Sequence, residues 1–229
     1  MPQSPRTHHR LSPIVGPAAV LAIFTLVAIA ALAVVGLPAR GAETIGTANL
    51  ALADGTRAGT VTFTNEPDAT QTRVKVVLAL PPVSASLAAA AVATRQFHGF
   101  HIHANDNAVN GIDCIADVRL ASNTWFVSAD GHLRRDASEV HGNHSGDLPS
   151  IYVNRDGKAS LEFTIDRVTT GELFGRAVML HAGADNFANI PVGEAVAQYK
   201  PNASDATTAT ANTGNAGDRV ACGAIDVKR

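Results

Sequence analysis

An antiparallel all-β domain is what this sequence predicts, and three observations predict it. Beyond residue 41, apolar side chains alternate with polar or small ones in eight short runs, 47–52, 59–64, 73–80, 97–103, 150–153, 159–165, 176–181 and 220–227. Period two over short segments is the signature of half-buried strands. Asp54-Gly55 and Asp156-Gly157 fall between such runs, where a residue able to take positive φ favours a tight hairpin. Only residues 84–94, with a Leu-Ala-Ala-Ala-Ala core, favour helix by propensity. That stretch is too short for an independent helix and reads as a surface insertion.

The chain has 229 residues, 46% hydrophobic and 17% charged, which fits neither disorder nor collagen. Residues 14–38 carry no charge and follow Arg6, His8, His9 and Arg10, the pattern of a secretory leader or an N-terminal membrane anchor. Cleavage after Gly41 satisfies the small-residue rule through Ala39 and Gly41 and divides the chain into residues 1–41, the leader, and residues 42–229, a single domain. The length of the apolar run, close to what a bilayer-spanning helix needs, keeps the anchor reading open. The leader holds three of the 18 basic residues and none of the 20 acidic ones, so residues 42–229 carry 15 bases against 20 acids, a net −5 with His neutral. Such a domain is a poor nucleic-acid binder. Its location is expected to be secreted, or a cell-envelope or periplasm-like space, with membrane attachment if the leader stays on.

Cys114 and Cys222 are the only cysteines. In an exported chain a lone pair is most simply a disulfide, two unpaired buried thiols being the alternative. Two long stretches, 104–148 and 182–219, lack periodicity. Loops of that length in a compact domain do chemistry or need something to hold them. Taken alone, the polar tract 201–217 reads as a mobile linker.

Seven histidines remain beyond the leader. His101 and His103, two apart in a strand, project from one face and can grip one ion, although an exposed His-x-His on a strand is more often merely solvated. His132, His141, His144 and Asp147 sit in a Gly-rich loop and offer three nitrogens and a carboxylate, enough for a tetrahedral zinc shell. His181 ends a strand and, by itself, says little. Asn143-His144-Ser145 and Asn202-Ala203-Ser204 match the N-glycosylation pattern, a short one that chance often produces.

Four ordered motifs give these residues a context: Gly99-Phe100-His101-Ile102-His103, Ser128-Ala129-Asp130-Gly131-His132, Gly146-Asp147-Leu148, and the stretch from Gly214 to Gly223. Together they resemble the copper,zinc superoxide dismutase family, in its secreted actinobacterial branch. The resemblance implies an eight-stranded Greek-key β-barrel or sandwich with two long functional loops. It implies copper held by His101, His103, His132 and His181, with His132 bridging to zinc, and zinc completed by His141, His144 and Asp147. It also implies that Asp185 hydrogen-bonds ligands of both metals, that His98 is structural, and that Cys114 and Cys222 form the family disulfide.

The activity so implied is antioxidant, the disproportionation of superoxide to dioxygen and hydrogen peroxide, with His132 as general acid and Arg219 orienting the anion. Superoxide is then the small-molecule partner, and a homodimer is one assembly the family allows. A non-catalytic copper-binding or copper-delivery module on the same scaffold is the alternative reading. Retention of His181 and Arg219 argues against it, since a holder of copper has no need to orient superoxide.

The likeness departs from the family pattern in three places. The segment between Cys114 and His132 is longer than usual and holds Trp125, the only Trp. Asp130 stands where Gly is common, a carboxylate that would weaken anion attraction. His144 follows His141 by only three positions, whereas the family spreads these zinc ligands over a longer loop.

Overall fold

The alternation predicted from the sequence becomes physical in β3 (Thr72–Ala79), where Val74, Val76 and Leu78 are buried while Lys75, Val77 and Ala79 are exposed. The computed structural model describes residues 43–67, 70–81, 94–186 and 204–228. The expected leader and the expected insertion at 84–94, Thr94 apart, lie outside them. The other strands are β1 (Glu43–Leu52), β2 (Arg57–Asn65), β4 (Gln96–His98), β5 (Phe100–His103), β6 (Ile151–Val153), β7 (Lys158–Ile165), β8 (Ala177–His181) and β9 (Arg219–Val227). All pairings are antiparallel: a seven-stranded sheet in the order β5-β8-β9-β1-β2-β3-β7, and a two-stranded ladder of β4 with β6. Each of the eight expected runs is found. The run at 97–103 is shared between the two sheets: it breaks at Gly99, so that β4 joins β6 and β5 joins β8.

One apolar core, including Leu50, Phe63, Leu78, Phe100, Ile102 and Leu180, is contributed by both sheets. Every residue of β5 and β8 is buried. An ordinary sheet edge would expose one face; here the long loops fold across it. Residues 131–133 and 146–147 lie against β5, with Leu133 N–H donating to Ile102 O (2.8 Å), Ile102 N–H to Gly146 O (2.8 Å) and Ala104 N–H to Gly131 O (2.9 Å). Gly146 permits this approach, because a Cβ there would fall on the Ile102 carbonyl oxygen.

The extra length between Cys114 and His132 is a folded layer. Trp125 is 2% exposed and its Nε1–H donates to Asp117 O (3.0 Å). Cys114 and Cys222 form a disulfide closing 108 positions of chain, and among the described residues there is no free cysteine. The loop is thereby tied to β9.

One expectation is corrected. Part of the tract 201–217 is not a linker: Ser204–Thr213 form a helix, here α2, the short Thr170–Leu173 turn being α1. Its threonines are weak helix formers, so tertiary contact decides. Thr210 is buried, its hydroxyl takes a hydrogen bond from Asn186 Nδ2 (3.0 Å), and Ala211 O accepts the N–H of His141 (2.6 Å).

Candidate metal centre

The alternation of β5 places His101 and His103 opposite the core-facing Phe100 and Ile102. β8 pairs with β5, and its last residue, His181, lies opposite Arg219 at the start of β9. His132 is bridged to His103 across the loop, and Asp147 to His101. The sheet therefore gathers residues from five separate stretches of sequence.

His101, His103, His132 and His181 are all buried, and one ligand nitrogen from each lies within 4.8 Å of the others. One nitrogen of every ring already has a partner. His101 Nε2 meets Asp185 Oδ2 (2.7 Å), His103 Nδ1 meets Asp130 O (2.8 Å), and His181 Nδ1 meets Gly217 O (3.1 Å). A carbonyl can only accept, so the protons of His103 and His181 are fixed on Nδ1 and a lone pair is left on Nε2. The buried ring atoms without a partner are His101 Nδ1, His103 Nε2, His132 Nε2 and His181 Nε2, one from each member. Orphaned buried polar atoms are costly. Four converging ones fit a transition ion that prefers imidazole. Burial also pushes the imidazolium forms of these rings down, His132 to about 3, so each is presented as a neutral ligand.

His132 points its other nitrogen into a second cluster. Its Nδ1 lies 2.9 Å from Asp147 Oδ1 and 3.4 Å from the Nδ1 atoms of both His141 and His144. Asp147 Oδ1 in turn lies 3.1 Å from His141 Nδ1 and 3.4 Å from His144 Nδ1. Four donors placed tetrahedrally about 2.0–2.1 Å from zinc stand about 3.3–3.4 Å apart. Three of the five observed edges, at 3.4 Å, match that figure, and the two from Asp147 Oδ1 to His132 and His141, at 2.9 and 3.1 Å, fall short of it, so the donor set fits a tetrahedral cation once the carboxylate oxygen opens by a few tenths of an ångström. The three-residue spacing from His141 to His144 is long enough to reach it. His101 also lies within 4.8 Å of His132, His141 and Asp147, yet its Nε2 is taken by Asp185, which leaves His144 as the better fourth member.

Asp185 joins the two clusters from behind: Oδ2 contacts His101 and Oδ1 contacts His141 Nε2 (2.6 Å). Burial alone would lower His141, but Asp147 and Asp185 outweigh it and hold the ring at about 9. Burial would likewise raise Asp147, yet its contacts with His132, His141 and His144 hold it well below the usual carboxylate range. Gly214, at φ +62°, lies so close that a Cβ would fall on Asp185 Oδ1 and 2.6 Å from His141 Nε2. Gly214→Ala is therefore expected to push Asp185 off His141 and lower metal affinity about 10- to 100-fold, measured by chelator competition. His98 has no place in either cluster; its Nδ1 meets His181 O (2.9 Å).

Arg219 is held by two carbonyls, Nη1 on Phe126 O and Nη2 on Asp130 O, each at 2.5 Å. Asp130 O thus serves Arg219 and His103 together. Both acceptor residues have left-handed φ, Phe126 at 57° and Asp130 at 63° with ψ −159°, a region that non-Gly residues enter at a cost of about 1–3 kcal/mol. The Asp130 carboxylate offsets this by accepting the N–H groups of Asp106 (2.7 Å) and Asn107 (2.9 Å) and the amide of Asn110 (2.7 Å). Those donors engage both carboxylate oxygens, which moderates the expected repulsion of anions. Nothing in the residue pattern announces that these backbone carbonyls orient His103, His181 and Arg219, because an accepting carbonyl has no residue-type signature.

Residues 57–225 match the copper/zinc superoxide dismutase (SODC) family. Curated relatives named Superoxide dismutase [Cu-Zn] include one from Mycobacterium tuberculosis, 41% identical over 139 residues, which are 58% of this chain and 54% of the relative. Another, from Photobacterium leiognathi, is 32% identical over 138 residues, 58% of this chain and 65% of that protein. The matched stretch thus spans little more than half the length of the mycobacterial relative. In fold the chain is similar to the crystal structure of the clock protein EA4, at TM-score 0.53 and 23% identity, covering 84% of this chain and 98% of the other. With the family matched from β2 into β9 and across both clusters, the chain belongs to the copper/zinc superoxide dismutase family.

Proposed function

We propose that residues 42–229 form a superoxide dismutase domain that acts outside the cytoplasm, residues 1–41 being its leader or anchor. The observation that carries this reading is the set of four buried, unpartnered ring nitrogens of His101, His103, His132 and His181, with Arg219 opposite His181. These four residues would hold copper, and His132, His141, His144 and Asp147 would hold zinc. An oxidising compartment is supported by the disulfide.

Two superoxide anions and two protons give one dioxygen and one hydrogen peroxide, so one anion surrenders the electron that the other gains. Copper in the four-imidazole cluster supplies, when bound, the one-electron couple that passes this electron between them. The chain supplies the rest. Arg219, locked by its two carbonyl partners, attracts and orients the anion with a fixed planar fork. Burial lowers its affinity for its proton, yet a guanidinium stays charged at any physiological pH. His132 Nε2 would take up a proton whenever it is not holding copper and deliver it to the nascent peroxide, the second proton coming from water. Its Nδ1, anchored in the second cluster, keeps the ring in place throughout. The net −5 of the domain repels anions at long range, so attraction must be local.

The test is superoxide consumption by the copper-loaded protein and by Arg219→Ala. We expect kcat/KM to fall about 10- to 100-fold in the variant, with its decline on added salt flattened, because screening acts on the charge that was removed. Copper retained without turnover in the unaltered protein would overturn the enzymatic reading and leave copper holding or delivery.

A further inference from the structure

The short turn that carries His141 and His144 is gripped from outside by a residue that belongs to neither cluster. Arg167, half-buried in the connection from β7 to α1, donates from Nη1 to His144 O (3.0 Å) and from Nη2 to Gly142 O (3.3 Å). On the opposite side of the same turn, the N–H groups of Gly142 (2.7 Å) and His144 (2.9 Å) both donate to Asp147 Oδ2. Both residues that flank Asn143 thus have their N–H and their C=O engaged. The grip is reciprocal. Arg135, which precedes His141 in the ligand loop, donates from Nη2 to Arg167 O (2.7 Å) and forms a fork on Glu172, at 2.6 Å from Nε and 3.0 Å from Nη2. Glu172 is itself set by the capping box at the start of α1.

We propose that Arg167 is a positioning residue for the cluster of His132, His141, His144 and Asp147: its fork fixes the turn that aims two Nδ1 atoms at one point, and so sets the cluster's affinity for a divalent cation. This rests on the reading of that cluster as the zinc site. Gly142 has φ +92°, a conformation with few steric constraints, so the turn needs external hydrogen bonds to hold one shape. A three-residue spacing leaves no slack to correct an error in either ring. Electrostatics makes the proposal sharp. A guanidinium beside the ligand loop repels a cation, so if charge were its only effect its removal would tighten binding. Positioning predicts the opposite sign.

The experiment titrates zinc and cobalt(II), against a competing chelator, into the full chain with its disulfide intact, and follows the visible d–d bands of tetrahedral cobalt(II). Arg167→Ala is expected to weaken both ions about 10- to 100-fold and to alter the cobalt spectrum, as loss of outer partners of metal ligands does. Arg167→Lys, which keeps the charge and loses the fork, should weaken them to a similar degree, and it carries the test if the alanine variant fails to fold. Copper affinity at the other cluster should stay at its wild-type value. Unchanged or tighter cobalt binding in either variant overturns the proposal, as does an equal loss at both clusters, or an unaltered protein that takes no cobalt here. None of these readouts needs superoxide, so an inactive but zinc-binding protein would sink the proposed activity and leave the role of Arg167 standing.

Discussion

His132→Ala is expected to lower superoxide consumption by about 10²- to 10⁴-fold, the range that a positioned proton donor contributes, and to strip metal from both clusters at once. Among the described residues His101 also falls in both groups, but its Nε2 is taken by Asp185, which leaves His132 as the ring with one nitrogen open to each cluster. Nε2 is the unpartnered member of the four-imidazole group, and Nδ1 is the atom at 2.9 Å from Asp147 and 3.4 Å from His141 and His144. His103→Ala serves as the comparison, because His103 touches only the first cluster and rests on Asp130 O. It should lose copper while retaining zinc. Metal analysis of the two variants, beside the rate of superoxide consumption, checks the expectation. A His132→Ala protein that keeps both ions, or whose rate falls less than about tenfold, would show that the ring is not the shared ligand and proton carrier argued here.

The two clusters differ in how far they were legible from sequence. His101 and His103 were readable because a strand places alternate residues on one face, and strand alternation was strong. The pairing of His181 with Arg219 and the reach of Asp185 depended on registers between strands far apart in sequence, which no local pattern encodes; only likeness to a family suggested them. The short His141–His144 spacing argued against a complete second cluster as long as spacing alone was considered. A turn through Gly142, fixed by Asp147 on one side and Arg167 on the other, delivers both rings. Arg167 was invisible because it acts on backbone carbonyls, and such contacts leave no residue-type signature on the accepting side. The same reason hid the part played by the carbonyl of Asp130. The helix at Ser204–Thr213 was missed because its threonines disfavour it, and the contact that stabilises it, His141 N–H on Ala211 O, comes from the ligand loop itself.

Opening the Cys114–Cys222 bond, by reduction or by Cys114→Ser with Cys222→Ser, is expected to cost about 4–5 kcal/mol of stability. That figure is the chain entropy released when a loop of about 100 residues is no longer closed in the unfolded state. For a domain of this size it corresponds to a fall in Tm of about 10–15 °C. The loss should not stop at stability. Cys222 lies three positions beyond Arg219 on β9, and Cys114 opens the layer whose Phe126 and Asp130 carbonyls hold that guanidinium. The layer keeps bonds of its own, Phe126 N–H on Ile115 O (2.8 Å) and Ser128 Oγ–H on Asp113 O (2.5 Å), so it should loosen against β9 without melting. Below the lowered Tm, the open form should therefore retain metal at the cluster of His132, His141, His144 and Asp147, while His103, which rests on Asp130 O, loosens its hold at the other cluster and kcat/KM falls and loses much of its salt dependence, as in Arg219→Ala. Calorimetry, metal analysis and the salt series together separate the two effects. A reduced protein with unchanged Tm would remove the entropic argument, and one that loses Tm but keeps the full salt response would show that Arg219 is oriented without help from the disulfide.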